Sequence, residues 1–196
     1  ESSRNPASAA LRQFRRAARS RKLLWQPQQR IDSTPHPQEI ALASPARVIL
    51  YGGQAGGDKS DFAVGYPLRE HHATTIFRRQ GIQLPDLIRR AKAITEGFRS
   101  GFNGQTNLLT LPGGAFLEFA GLNEPDDWMK WKGRRRDCWV FDEATEFLRS
   151  QVFSLFGWLG SSIQGQRLRA ILTFNPPTTP EGEWINELLA PWMHLL

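Results

Sequence analysis

The sequence predicts an α/β fold in which a mainly parallel central sheet is flanked by helices. Three patterns support this: apolar runs alternate with segments of helical spacing, two runs flank a hairpin signal, and a glycine-rich turn follows the first run. The runs typical of strands lie at residues 48–51, 74–78, 108–111, 115–119, 138–141 and 168–174. The segments typical of helices lie at residues 38–42, 60–70, 84–98 and 146–158.

The turn after the first run has the composition of a phosphate-binding loop. Val48 to Ser60 reads V-I-L-Y-G-G-Q-A-G-G-D-K-S. Glycines let backbone N–H groups surround phosphate oxygens, and the following helix adds a positive dipole end. Lys59 would bind the β- and γ-phosphates, and the Ser60 hydroxyl would bind Mg²⁺. The pattern thus predicts a P-loop NTPase. The predicted nucleotide ligands here are Gly53, Gln54, Ala55, Gly56, Gly57, Asp58, Lys59 and Ser60.

Asp58 departs from the phosphate-loop pattern. It stands where G-x-x-x-x-G-K-[ST] has its second glycine. A Cβ crowds backbone that must approach a phosphate, and two like charges about 4 Å apart repel by roughly 4 kcal/mol at an effective dielectric constant near 20. A glycine-rich turn that binds nothing is therefore the alternative for this segment.

Two further strands end in polar residues that suit nucleotide chemistry. Asp142 and Glu143 follow the apolar run at 138–141, and they would hold Mg²⁺ and polarise the attacking water, respectively. Thr173 and Asn175 end the last run, where they could sense the γ-phosphate. The alternatives are an acidic helix cap for the first pair and a strand end before a proline turn for the second.

The positive charge of the chain is concentrated at its start. The formal net charge is +6, and residues 1–24 contain seven cations against the single acid Glu1. We expect a basic arm at 1–24, a linker rich in proline and glutamine at 25–37, and one ATPase domain at 38–196. The arm indicates contact with an acidic polymer, with a solvated terminus as the alternative.

These segments, in this order, resemble the large terminase subunit of tailed bacteriophages, the ATPase that drives DNA into a capsid. Y-G-G-Q-A-G-G-D-K-S resembles its Walker A loop, V-F-D-E-A-T its Walker B strand with the catalytic glutamate, and T-F-N-P its coupling motif. P-H-P-Q-E at residues 35–39 resembles its glutamine motif, which implies that Gln38 reads adenine. The resemblance covers the chain from about Trp25 onward.

The resemblance implies a Mg²⁺-dependent ATPase, with ATP and Mg²⁺ as cofactors, that translocates double-stranded DNA into a procapsid. It implies a portal protein and a small terminase subunit as partners, the host cytoplasm as location and no membrane contact. A homo-oligomeric ring and an isolated domain both remain open. In a ring, Arg134 is our choice for an arginine acting on the neighbour's nucleotide, with a DNA contact or a solvated loop as alternatives.

Three expectations concern what this chain lacks or leaves open. No segment corresponds to the family's nuclease domain, so we expect no DNA cleavage. Arg78 and Arg79 end a strand and could face either nucleotide or DNA. The alternative function is a non-catalytic, prophage-derived remnant, impaired by Asp58, that acts at most as a DNA-binding or assembly module.

Overall fold

The computed structural model describes residues 6–30, 32, 34–53 and 58–191, with the backbone alone for residues 6–11 and 14. The strands are β1 (Val48–Gly52), β2 (Ala73–Arg78), β3 (Gly101–Asn103), β4 (Leu108–Thr110), β5 (Phe116–Gly121), β6 (Cys138–Phe141) and β7 (Arg169–Phe174). The helices are α1 (Pro6–Arg21), α2 (Pro37–Ala43), α3 (Lys59–Glu70), α4 (Leu84–Ile94), α5 (Arg149–Phe156) and α6 (Trp184–Leu189).

All seven strands form one sheet in the order β1-β7-β6-β2-β5-β4-β3. The first five in this order run parallel, and β4 and β3 add an antiparallel edge. Every residue of β6 and of β7 is buried, because helices cover both faces of the sheet there. The α/β prediction is confirmed, as is the hairpin around Pro112-Gly113-Gly114, which joins β4 to β5.

Two hydrophobic cores lie on opposite faces of the sheet. The first packs α3 and α4 on the sheet around Phe62, which stacks on Tyr51 with ring centroids 4.6 Å apart. The second packs α5 and α6 on the other face around Trp139 and Phe141. The two cores hold the ends of β1, β6 and β7 in a fixed relation, which is what positions the site.

The basic helix α1 is attached to the first face at its C-terminal end. Arg21 is buried, and its guanidinium donates a hydrogen bond to the carbonyl of His71 at the end of α3. Trp25 lies against Gly65 and donates from its indole nitrogen to Asp61 at 2.8 Å. The first residue of the predicted linker is therefore part of the core. Within the described residues, no helix has the length and apolar character needed to cross a membrane.

Candidate functional site

Three parallel strands end side by side and bring most of the predicted site residues together. Thr173 on β7 lies level with Tyr51 on β1. Leu172 pairs with Phe141, so Asp142, the residue after β6, comes level with Thr173. Strand β7 thus stands between the strand that leads to the glycine-rich turn and the strand that leads to the two acids. Ligands of open parallel sheets bind at this carboxyl edge.

The turn between β1 and α3 is described at its two ends. Lys59 is the first residue of α3, and its Nζ donates to the Gly53 carbonyl at 3.1 Å. The lysine is 8% exposed, so its side chain points toward Gly53 rather than into solvent. Four predicted nucleotide ligands lie outside the described residues, namely Gln54, Ala55, Gly56 and Gly57.

Asp58 has the backbone conformation of a glycine. Its φ of 49° and ψ of 28° lie in the left-handed region, which a residue with a Cβ seldom adopts but which aspartate tolerates. Its side chain is exposed and makes no capping hydrogen bond to α3. At this one position the backbone therefore adopts a conformation that glycine favours, while the side chain is a carboxylate next to Lys59.

Gln38 supports the turn from behind. It is fully buried, its Nε2 donates to the Asp58 carbonyl at 3.3 Å, and its Oε1 accepts from the Gln28 backbone at 2.8 Å. A capping box between His36 and Glu39 starts α2 at this point. The P-H-P-Q-E segment thus forms a helix N-terminus that is hydrogen-bonded to the phosphate-loop backbone, and adenine contact by Gln38 stays a prediction.

Asp142 and Ser60 form the oxygen pair that was predicted to hold a metal. Asp142 is 1% exposed, and its Oδ2 accepts from Ser60 Oγ at 3.4 Å. Its Oδ1 accepts a hydrogen bond from Thr173 Oγ1. Hydroxyl and carboxylate oxygens are ligands that Mg²⁺ prefers. The described residues contain no group of three or more His, Cys, Asp or Glu side chains arranged for a metal.

Glu143 and Asn175 lie together beside this pair. Glu143 has a left-handed φ of 60°, and its Oε2 accepts from Asn175 Nδ2 at 3.1 Å. Asn175 Oδ1 is buried and has no hydrogen-bond partner among the described residues. A buried acceptor without a partner is costly, and strained backbone is concentrated at functional sites. Both features mark this corner as the place where a water molecule could be bound next to a carboxylate.

Arg78, at the end of β2, also points into the site. Its Nη2 lies 2.6 Å from Asp142 Oδ2 and 3.9 Å from Glu143 Oε1, and its side chain is 15% exposed. From the sequence alone, Arg78 could face either nucleotide or DNA, because the sequence does not give the order of the strands. Since β2 pairs with β6, the strand end that carries Arg78 comes next to the two acids.

Tyr51, near the end of β1, is buried, and its ring stacks on that of Phe62. Burial, followed by the carboxylates of Asp58 and Asp61, raises the pKa of Tyr51 to about 12.

Arg134 lies apart from these residues. Its guanidinium lies over the Trp131 ring at 4.9 Å and pairs with Glu118 on β5 at 3.4 Å. None of its described contacts is with the site at the carboxyl edge. Its side chain is 52% exposed, so a role toward a neighbouring subunit stays a prediction.

The fold is shared with the ATPase domains of large terminases. The HK97 bacteriophage large terminase matches with a TM-score of 0.58 and 10% identity over 86% of this chain and 38% of that chain. A large terminase from a thermophilic bacteriophage matches with a TM-score of 0.57 and 19% identity over 80% and 42%, respectively. A variant of the large-terminase ATPase domain from Thermus phage P74-26 matches with a TM-score of 0.55 and 17% identity over 86% and 71%.

The thermophilic phage terminase has also been solved in complex with ADP, and that structure matches with a TM-score of 0.51 and 20% identity over 70% of this chain and 37% of that chain. The chain spans about two fifths of the length of the HK97 terminase and of the thermophilic phage terminase. No protein-family profile matches the chain, and no curated protein matches it in sequence.

Proposed function

We propose that this chain is the ATPase domain of a large terminase, which uses ATP hydrolysis to move double-stranded DNA into a procapsid. The observation that carries the proposal is the meeting of Lys59, Ser60, Asp142, Glu143 and Asn175 at one edge of the sheet. The shared fold supports it, because the same architecture forms the ATPase domains of large terminases.

Each of these side chains has a distinct role in the proposal. Lys59 would leave the Gly53 carbonyl and bind the β- and γ-phosphates. Ser60 and Asp142 would hold Mg²⁺, which neutralises charge on the phosphates when bound. Glu143 would orient the attacking water and accept its proton, with Asn175 holding the carboxylate in place.

Strand β7 would link the nucleotide to movement. Thr173 bonds to Asp142, and Asn175 bonds to Glu143, so both polar residues at the end of β7 touch a carboxylate that responds to the γ-phosphate. Loss of that phosphate would change both contacts at once. We propose Thr173 and Asn175 as the coupling residues, with a portal protein and a small terminase subunit as partners of the motor in the host cytoplasm.

Glu143→Gln tests the catalytic role, and Glu146→Gln is its matched control. Glu146 is three residues further along and exposed to solvent. We expect Glu143→Gln to bind Mg·ATP as the parent does and to lose 10²- to 10⁴-fold in turnover, the usual range for a general base. Glu146→Gln should keep both properties. Unchanged turnover in Glu143→Gln would remove the role assigned to this carboxylate.

A non-catalytic remnant is the second candidate, and Asp58 is the observation that favours it. The exposed carboxylate lies beside the lysine that would bind phosphate. If the folded parent chain binds no ATP while Asp58→Gly binds and hydrolyses it, the chain is a disabled ATPase. Binding and turnover by the parent chain would exclude that candidate.

A further inference from the structure

The helix α1 presents cations along one side. Arg12, Arg15, Arg16 and Arg19 are exposed at helical spacings of three and four residues, and exposed Lys22 follows in the next turn. At 100° per residue these five positions fall within an arc of about 120°. The segment from Pro6 to Lys22 contains no acidic residue. We call these five cations the α1 stripe.

The opposite side of α1 is fastened to the domain. Arg21, about 180° around the helix from Arg12, is buried and bonded to the end of α3. Arg69 donates to the Lys22 carbonyl at 3.2 Å and to the Trp25 carbonyl at 3.2 Å. A Cβ added at Gly113 would lie 2.7 Å from the Ala17 side chain, so α1 closely approaches the hairpin. The α1 stripe is therefore held in one orientation.

Neighbouring charges leave the α1 stripe positive. Glu70 pairs with Arg69 at 2.9 Å, and Asp137 lies 3.3 Å from His71, so the acids closest to the end of α1 are already engaged. Arg99 lines a cleft next to Arg16, between α1 and the loop after α4, which extends the positive surface.

We infer that the α1 stripe binds the phosphate backbone of double-stranded DNA. The stripe runs for roughly 15 Å from Arg12 to Lys22, and that length of duplex carries about nine phosphates, of which about half face one side. Five cations therefore match one side of the duplex. The contact carries no sequence preference, because it involves no base edge. This surface deepens the proposed function, since it names where the motor contacts its DNA.

Two other anionic partners fit the surface less well. An interfacial membrane helix needs a free apolar side, whereas the far side of α1 carries buried Arg21 and packs on the domain. Single-stranded nucleic acid is bound through stacking on exposed aromatic rings as well as through cations, and the five positions of the α1 stripe carry only Arg and Lys. A duplex backbone requires only the cations that are present.

The test is the salt dependence of binding to a 30-base-pair duplex, measured by fluorescence anisotropy without nucleotide. The stripe variant replaces Arg12, Arg15, Arg16, Arg19 and Lys22 with Gln, which keeps helix propensity. The control variant replaces the same number of exposed cations elsewhere, Arg47, Arg89, Lys92, Lys130 and Arg149. Five phosphate contacts contribute a slope of about −4.5 in log K against log salt. We expect the stripe variant to lose most of that slope and the control variant to keep it.

Three results would overturn the inference. The first is that the stripe variant keeps the salt slope of the parent chain, and the second is that the stripe and control variants lose the slope equally. The third is that the parent chain binds a 30-nucleotide single strand, or vesicles with anionic lipid, more tightly than it binds the duplex. Helicity and melting temperature of each variant establish that it is folded. Because no ATP is present, failure of this test is distinct from failure of the ATPase proposal, which the Glu143→Gln measurement decides.

Discussion

Replacing Asp58 tests the nucleotide site most directly. Like charges about 4 Å apart repel by about 1 kcal/mol in water and about 4 kcal/mol at an effective dielectric constant near 20. Because the Asp58 side chain is exposed, we adopt the lower part of this range, about 1 to 2 kcal/mol. Removing the charge should then tighten ATP binding about five- to thirtyfold.

Two substitutions separate the charge from the Cβ. Asp58→Asn removes the charge and keeps a side chain that tolerates a φ of 49°. Asp58→Gly also removes the Cβ, which opens space for the phosphates. We expect both to bind ATP more tightly than the parent, with Gly at least equal to Asn. Relief of strain and the greater freedom of the unfolded chain nearly cancel for Gly, so its stability should change by less than about 1 kcal/mol.

Titration calorimetry with ATP and Mg²⁺ provides the measurement. Asp86→Asn is the matched control, because Asp86 is 82% exposed on α4, away from the site, and its loss changes the net charge equally. Equal affinities for the parent, Asp58→Asn and Asp58→Gly would refute the reasoning, since the carboxylate would then not face the phosphates. An equal gain in Asp86→Asn would assign the effect to net charge alone.

Three further predictions concern groups inside the domain. Arg78→Gln leaves a buried carboxylate without its ion pair, so the free energy of unfolding should fall by about 3 kcal/mol, measured by urea denaturation, with part recovered on adding Mg²⁺. Gly65→Ala places a Cβ in steric conflict with the Trp25 ring, so the melting temperature should fall by several degrees, whereas Gly104→Ala, with 3.9 Å of clearance, should be tolerated. Burial raises the pKa of the Cys138 thiol well above its ordinary 9.0. The contribution of this neutral thiol to the free energy of unfolding is therefore fully present below pH 9. Above pH 9 the thiol of the unfolded chain ionises, and that contribution is lost by up to about 1.4 kcal/mol per pH unit. Cys138→Ala should remove that part of the alkaline loss in urea titrations between pH 9 and 10.

Each of these has an outcome that contradicts it. Stability of Arg78→Gln equal to the parent would mean that the ion pair contributes nothing. Equal melting temperatures of Gly65→Ala and Gly104→Ala would show that the Trp25 side chain moves aside without loss of stability. A parallel alkaline decline in the parent and in Cys138→Ala would place the titrating group elsewhere.

Most helices and strands could be predicted from the residue types within each segment. The apolar run at Cys138–Phe141 is a strand with the predicted bounds, since every residue in it is buried. Helix α4 ends at Ile94, four residues before the predicted end, because Thr95 Oγ1 bonds to the Ala91 carbonyl and Gly97 adopts a left-handed φ of 74°. Strand β3, Gly101–Asn103, was not predicted, since glycine and asparagine are rare in strands.

Long-range pairing could not be predicted from the same patterns. Which strand lies next to which depends on contacts between distant segments, and the composition of an apolar run does not specify the strand with which it pairs. The residue types of the site followed from motif spacing. The hydrogen bond from Asn175 to Glu143 and the ion pair of Arg78 required the strand order.

The position of β7 has a consequence for protein synthesis. In the described sheet β1 pairs with β7 alone, and β7 is the last strand to be made. A nascent chain that has emerged as far as α5 already carries the phosphate turn, the lysine and both acids, yet β1 has no strand to pair with. Non-local pairing of this kind is the slow part of folding. The proposed nucleotide site is therefore complete only after Asn175 leaves the ribosome, so ATP, if it binds there as proposed, would stabilise the finished domain and not a partly synthesised one.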